Sequence, residues 1–129
     1  MTIETMMACN EEFKAKGLLL SKEDLFEWLC LRDDMITEAN KIKQEVTVWK
    51  LELDKDKAKR ILELKSVVDE KWKGLTEKVI EGNIRIEFQE RELELITKKT
   101  VGELLRERAE SILEFVNIVK IELKSKIEL

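Results

Sequence analysis

A run of apolar residues at alternating three- and four-residue spacing is the feature that most restricts how this chain can fold. The run stays in one register over four heptads, and eight of its nine members are apolar. They are Leu25, Trp28, Arg32, Met35, Ala39, Ile42, Val46, Trp49 and Leu53. Such spacing places a narrow apolar stripe along one α-helix. A helix from Ser21 to Leu53 would be about 50 Å long, so we expect it to pack against other long helices, of this chain or of a partner.

The composition of the 129 residues favours helices over strands. The chain has no proline and only four glycines, while 40% of its residues are charged, chiefly Glu and Lys. A many-stranded sheet would need more turn residues, and a hydrophobic content of 43% is too high for a disordered chain. We therefore expect one all-α domain over residues 1–129, a bundle of long, mostly antiparallel amphipathic helices with coiled-coil-like packing.

Local signals predict where the first two helices begin and end. The first helix is expected over Ile3–Lys16, and Gly17 is suited to end it because glycine accepts a positive φ. Ser21 and Asp24 have the spacing of a capping box, so the long helix is expected to open at Ser21.

Three later connections are predicted from breaks in the pattern. The seam stops after Leu53, and the charged run Asp54–Arg60 favours a connection between antiparallel helices over one continuous helix, although its residues are good helix formers. The apolar register resumes, shifted, at Ile61, Leu64, Val68, Trp72, Leu75 and Val79. Gly82-Asn83 predicts a second connection, and Thr97–Lys99 a third.

The segment 84–97 is open to two interpretations. Its apolar residues alternate with charged ones as in a strand, which would allow a small β-hairpin, but Glu, Arg and Leu favour a helix and no tight-turn residue is present. Helix is the favoured interpretation. Thr100 and Glu103 then predict a capping box that opens the last helix. Its seam comprises Val101, Leu105, Ala109, Ile112, Val116, Val119 and Leu123.

Composition also narrows the possible functions. With no histidine, the Ser-His-Asp triad and His-ligated zinc are excluded, and we expect no cofactor. Acidic and basic residues are interspersed at a net charge of −4, which argues against nucleic-acid binding. No apolar run is longer than four residues, which is too short for a membrane span. Cys9 and Cys30 are expected to be reduced thiols in a cytoplasmic protein.

Four residues of the long seam are the candidates for partner binding: Trp28, Arg32, Met35 and Trp49. Tryptophan and methionine make adaptable, energetically rich contacts. Tryptophans at heptad positions are nonetheless more often core residues, and that interpretation is slightly favoured here. For Arg32, a register-setting role inside the bundle is favoured over a salt bridge to a partner.

Two pairs of glutamates supply the alternative of an enzyme. Each pair has E-x-x-E spacing, which puts two carboxylates on one helical face, and four such oxygens suit Mg²⁺ or Mn²⁺. The pairs are Glu87 with Glu90 and Glu107 with Glu110. The stretch from Glu107 to Asn117 resembles the metal-binding helix of all-α nucleotide pyrophosphohydrolases such as the dimeric dUTPases. That family has aspartate where this chain has Glu110, and a glutamate-rich chain forms such pairs by chance, so solvent-exposed glutamates are the favoured interpretation.

A second resemblance covers residues 22–42. The sequence SKEDLFEWLCLRDDMI, ending at Ile36, leads from an acidic helix into an Arg-Asp pair and the apolar seam. In this it resembles flagellar export chaperones, which are small acidic helical hairpins that shield a partner's amphipathic helix. The resemblance implies a chaperone-like role and transfers no functional residue.

These observations favour a non-enzymatic protein–protein interaction module, whether chaperone-like, an adaptor or an inhibitor, that offers an apolar helical groove to a partner. A structural homo-oligomeric coiled coil is the first alternative, and a Mg²⁺-dependent pyrophosphohydrolase is the second. The seam and the wide apolar face around Phe115 exceed what a short chain easily covers, so a homodimer is expected.

Overall fold

The computed structural model describes the backbone of residues 1–66 and 73–128 and the side chains of residues 1–66 and 77–125. Four α-helices are found there: α1 (Ile3–Lys16), α2 (Lys22–Ser66), α3 (Lys73–Glu87) and α4 (Gln89–Glu128), with a 3-10 turn at Gly17–Leu19 after α1. Only residues 1–2, 20–21 and 88 of this described backbone lie outside a helix. The predicted all-α bundle is confirmed, and residues 84–97 are helical with no β-hairpin.

The end of α1 and the beginning of α2 agree with the predicted local signals. Gly17 ends α1 with a φ of 50°. At the start of α2, the Ser21 N–H donates to Asp24 Oδ2 at 3.0 Å, and the Asp24 N–H donates to Ser21 Oγ at 3.1 Å. The backbone hydrogen bond from Ser21 lowers the pKa of the Asp24 carboxyl. The predicted capping box is therefore formed, because each partner satisfies a backbone N–H that the first helical turn leaves free.

The predicted connection at Asp54–Arg60 is wrong, because α2 continues through it to Ser66. The run contains neither Gly nor Pro, so a shift of hydrophobic register does not end the helix. Its charged side chains instead reach α3 and α4: Arg60 contacts Glu87 at 3.1 Å, Asp56 contacts Arg91 at 2.8 Å, and Lys57 pairs with Glu92. Of the shifted register, Val68, Trp72 and Leu75 lie outside the described side chains.

The predicted stop at Gly82-Asn83 is also wrong, since α3 runs through both residues to Glu87. Ile80, Ile84 and Phe88 recur every four residues and are all buried. Their common burial on one face favours the helix by more than the ~1 kcal/mol that an interior glycine costs.

No connection occurs at Thr97–Lys99 either, and Thr100 does not cap a new helix. The helix α4 already begins at Gln89, and the Thr100 hydroxyl donates to the Ile96 carbonyl at 2.9 Å inside it. Between α3 and α4, the Phe88 N–H donates to the Ile84 carbonyl and the Glu92 N–H to the Phe88 carbonyl, each at 3.0 Å. The i to i−4 bonding pattern therefore continues through Phe88.

The chain divides into two compact units, one of Met1–Ile42 with Val101–Leu129 and one of Lys43–Thr100. We call them unit 1 and unit 2. Both α2 and α4 contribute a segment to each unit, while α1 belongs to unit 1 and α3 to unit 2. That the whole chain is a single domain stays a prediction.

Unit 1 has a well-filled core between α1, the first part of α2 and the last part of α4. Contacts of Trp28 with Phe115 and of Asn40 with Arg106 show that α2 and α4 are antiparallel here. The buried residues include most of both predicted seams: Leu25, Trp28, Met35, Ala39 and Ile42 on α2, and Leu105, Ala109, Ile112, Val116 and Val119 on α4.

Unit 2 has a smaller core, in which α2 is antiparallel to both α3 and α4. Leu53 of α2 is buried together with Ile80, Ile84 and Phe88. Ile61, Leu64 and Leu95 pack against this group and are partly buried. None of the helices in the described residues combines the length and the apolar character that a membrane crossing requires.

Gly102 of α4 lies close to Ile42 of α2 in unit 1, and its lack of a side chain permits this approach. A Cβ atom at this position would lie 2.7 Å from Ile42 Cγ2. We expect Gly102→Ala to lower the free energy of unfolding by ~1–3 kcal/mol through overpacking, despite a helix-propensity gain of up to ~1 kcal/mol. Urea unfolding followed by circular dichroism measures the change.

The matched background for this test is Ile42→Leu, because leucine keeps the volume but has no methyl group on Cβ. In that background Gly102→Ala should be neutral or stabilising. Equal destabilisation in both backgrounds would show that the clash with Ile42 is not its cause.

Candidate protein-interaction surface

Trp28, the first binding candidate, is a core residue of unit 1. It is 1% exposed, and its Nε1–H donates to Asn10 Oδ1 at 2.8 Å. Its ring stacks between those of Phe13 and Phe115, with centroid distances of 5.8 and 6.1 Å. Because both its ring faces and its only donor are satisfied within the chain, Trp28 presents nothing to a partner in this conformation.

Met35 and Arg32 also lie in unit 1, with little surface to offer. Met35 is completely buried. The Arg32 side chain is 27% exposed and makes one ion pair, with Asp33 at 3.5 Å. Its Nε–H is buried without a hydrogen-bond partner. An unpaired buried donor costs about 1–3 kcal/mol, so Arg32 imposes a cost on this part of the fold.

Trp49, the last of the four, is on the surface of unit 2 and 40% exposed. The Nζ atom of Lys98 lies 4.1 Å from the centroid of its ring, a cation–π contact between α2 and α4. Trp49 borders an open cavity of about 410 Å³ together with Leu93, Glu94, Thr97 and Lys98. Of the four candidates, it is the aromatic side chain that remains accessible.

The glutamates of the enzyme alternative are surface residues. Glu87 is paired with Arg60 in unit 2, where Glu90 is also exposed. Glu107 and Glu110 are exposed on the part of α4 that belongs to unit 1. Among the described residues, no three acidic or cysteine side chains come together in a group that could hold a metal ion.

A second apolar row runs along the solvent-facing side of α3 and α4 in unit 2. We call it the outer row, and it has strict three-then-four spacing. Its members are Val79, Gly82, Ile86, Gln89, Leu93, Ile96 and Thr100. The four large apolar members are 59%, 74%, 55% and 59% exposed, in chain order. This is the arrangement of a coiled-coil seam that no helix among the described residues covers.

The outer-row residues of α3 and α4 lie on one continuous helical face, because the helical hydrogen bonds continue through Phe88. Ile80, Ile84 and Phe88 lie on the opposite face and are buried against α2. Burying each of the large outer-row side chains would contribute roughly 1–2 kcal/mol. The row is about 33 Å long at 1.5 Å per residue, long enough to accommodate a partner helix of six turns.

Other exposed apolar groups form poorer seams. On α2 in unit 2, the row Val48, Leu51, Lys55, Ala58 and Leu62 has the same spacing but carries a charge at its centre. On α4 in unit 1, Arg108 and Ser111 separate exposed Leu104 from exposed Phe115 and Ile118. A charge at a seam position must be paired or must reach past the edge of the interface, which leaves the outer row as the better surface.

Between α2 and α3, unit 2 also has a groove of about 420 Å³. Ile61, Ile80 and Ile84 line it, together with charged residues of both signs. Two of these isoleucines are less than 9% exposed, so little apolar area remains there for a ligand.

The outer row was not predicted from the sequence. A helix end predicted at Gly82-Asn83 separates Val79 from the later members of the row. The alternation of Ile84, Ile86 and Phe88 with charged residues is also typical of a strand. The spacing from Val79 to Thr100 was the available signal, and it can be recognised once the helix is known to be continuous. Comparison of the chain with protein-family models, curated proteins and solved structures finds no match.

The different burial of Trp28 and Trp49 can be tested by truncation. Trp28→Ala should lower the free energy of unfolding by ~3–5 kcal/mol, because it leaves a cavity and removes the partner of Asn10. Trp49→Ala should cost less than about 1 kcal/mol, as is usual for a surface site. Thermal and urea unfolding of both variants measure the difference, and similar losses would contradict these positions.

Proposed function

We propose that this protein is a helical protein–protein interaction module that binds the apolar face of a partner helix on the outer row of unit 2. The observation that carries the proposal is the uninterrupted heptad spacing of the exposed residues from Val79 to Thr100. Monomeric proteins rarely leave an apolar surface of this length uncovered. Chaperone-like proteins, adaptors and inhibitors all use such surfaces. The proposal covers all three kinds of protein and does not choose among them.

The shape of the surface favours a helix as the ligand. Large side chains at Ile86 and Leu93 alternate with smaller or polar positions at Gly82 and Gln89, which leaves room for the knobs of a facing helix. No side chain lies within 4 Å of where a Gly82 Cβ would stand. Helix-in-groove recognition places anchors at this periodicity, whereas an extended peptide would require an unpaired strand edge.

Trp49 is the accessible aromatic residue beside this surface. It shares a cavity with Leu93 and Thr97, which lie on or next to the outer row. Tryptophan is enriched among residues that dominate binding energy. We therefore propose Trp49 as an anchor at the edge of the interface. Trp28 and Met35 are instead core residues of unit 1.

The proposal includes neither a metal nor a nucleotide, since it rests on the exposed apolar residues of the outer row. A cytoplasmic location stays part of the proposal. It rests on the two free thiols, Cys9 and Cys30.

Binding of a designed amphipathic helix tests the proposal. The probe is a fluorescein-labelled synthetic peptide of four heptads, with Ile at a and Leu at d and mixed charges elsewhere, measured by fluorescence anisotropy. We expect saturable binding that Leu93→Asp weakens at least tenfold, because the substitution puts a carboxylate in the centre of the seam. Trp49→Ala should weaken binding less.

The control variant is Phe26→Asp, which replaces another solvent-exposed apolar residue, in unit 1 and far along the sequence from the outer row. It should bind the peptide as the unaltered protein does. Absence of binding, or equal loss in Phe26→Asp and Leu93→Asp, would contradict the proposal.

A further inference from the structure

We propose that the helix occupying the outer row is the outer row of a second copy of this chain, packed antiparallel to the first. The inference rests on the proposed function, since it names the partner of the same surface. Size complementarity along the row and the charges that flank it support self-pairing, and the length of the row sets the expected affinity.

The spacing allows an antiparallel pairing in which each large residue meets a smaller or differently shaped one. With the two-fold axis between residues 87 and 88, Val79 faces the partner's Ile96, Gly82 faces the partner's Leu93, and Ile86 faces the partner's Gln89. Each contact occurs twice because the interface of a two-fold dimer is isologous. The layers fall at a and d positions, as antiparallel helices require for knobs-into-holes packing.

Gly82 distinguishes this orientation from a parallel one. The space beside its Cα is open, and Leu93 is a 55% exposed branched side chain. In the antiparallel pairing, the leucine of one copy fills the space above the glycine of the other. In a parallel, in-register pairing, glycine would face glycine and leave an empty layer, whose lining atoms lose their packing contacts.

The flanking charges select one register of the antiparallel pair. Arg85 and Glu92 occupy the same heptad position beside the row and are opposite in charge. With the axis between residues 87 and 88, Arg85 of each copy lies next to the partner's Glu92, whose carboxylate also pairs with Lys57 of its own copy. Lys78 and Lys99 face each other at the exposed ends, where water and salt screen repulsion. A shift by one heptad in either direction would place Arg85 next to the partner's Arg85, or Glu92 next to the partner's Glu92. Both shifts are disfavoured because they bring like charges together.

The length of the row sets the expected affinity. Seven seam positions with their flanks are fewer than the roughly 20–30 residues per side of a standard interface. We therefore expect a reversible dimer with a Kd on the order of micromolar. Sedimentation velocity of the full chain between about 1 and 200 µM covers this range.

The decisive variant is Gly82→Glu. The open space around Gly82 accommodates the new side chain in a single copy, and replacing an exposed helical glycine increases helix propensity. The thermal midpoint, measured at a concentration below the dimer Kd, should therefore not fall, whereas the dimer Kd should rise at least tenfold because the carboxylate takes the place of the partner's Leu93. Phe26→Asp should leave the Kd unchanged.

Disulfide trapping tests the orientation, in a background with Cys9→Ser and Cys30→Ser. One chain carries Ile86→Cys, and a second, distinguishable by mass, carries Gln89→Cys. The antiparallel pairing predicts mixed disulfides between the two chains and few within either population. A parallel pairing predicts that each population links to itself, which would overturn the inference.

The outcomes separate this inference from the proposed function. A chain that stays monomeric at 200 µM yet still binds the designed peptide would overturn self-pairing and leave the interaction module in place. A dimer that Gly82→Glu does not weaken would overturn self-pairing through the outer row. A monomer that binds no peptide would overturn both proposals.

Discussion

The burial of Ile80, Ile84 and Phe88 against α2 is the constraint on which the accessible surface of unit 2 depends. These three side chains recur every four residues and anchor one face of α3 and the start of α4 against Leu53. Their burial holds the helix through Gly82 and Phe88, the two places where its local sequence is weakest. Because an α-helix has opposite faces, fixing this one against α2 necessarily turns the outer row towards solvent. The row is thus a consequence of the unit 2 core.

In unit 1, by contrast, the residues predicted as binding candidates are mostly buried, and their interactions are made within the chain. Asn10 accepts the Trp28 N–H, and two phenylalanine rings cover the indole faces. Gly102 lets α4 approach Ile42 closely. These contacts make unit 1 a packed core in which a tryptophan and a methionine serve stability. The same residue types become binding candidates only where they stay accessible, as Trp49 does.

Sequence reasoning worked best where the determining interaction was local. The Ser21–Asp24 capping box and the end of α1 at Gly17 depend on groups within a few residues of each other, and both were predicted. The errors at Asp54–Arg60, Gly82-Asn83 and Thr97–Lys99 share one cause. In each case a local signal for a break was overridden by packing or ion pairs with residues about 27 to 53 positions away, such as Glu87 with Arg60 and Lys98 with Glu45.

The sequence by itself determined the fold class, the first two helix starts and the faces of α2 and α4 that enter the unit 1 core. Periodicity and capping are properties of a single helix, so they can be recognised without knowing its neighbours. Only the tertiary structure decided which apolar rows were covered. The seam from Leu25 to Leu53 and the outer row look alike as patterns, but the first is largely buried while the second is exposed. Which row finds a neighbour depends on how α2 pairs with α3 and α4, and that pairing is a long-range property that no local pattern encodes.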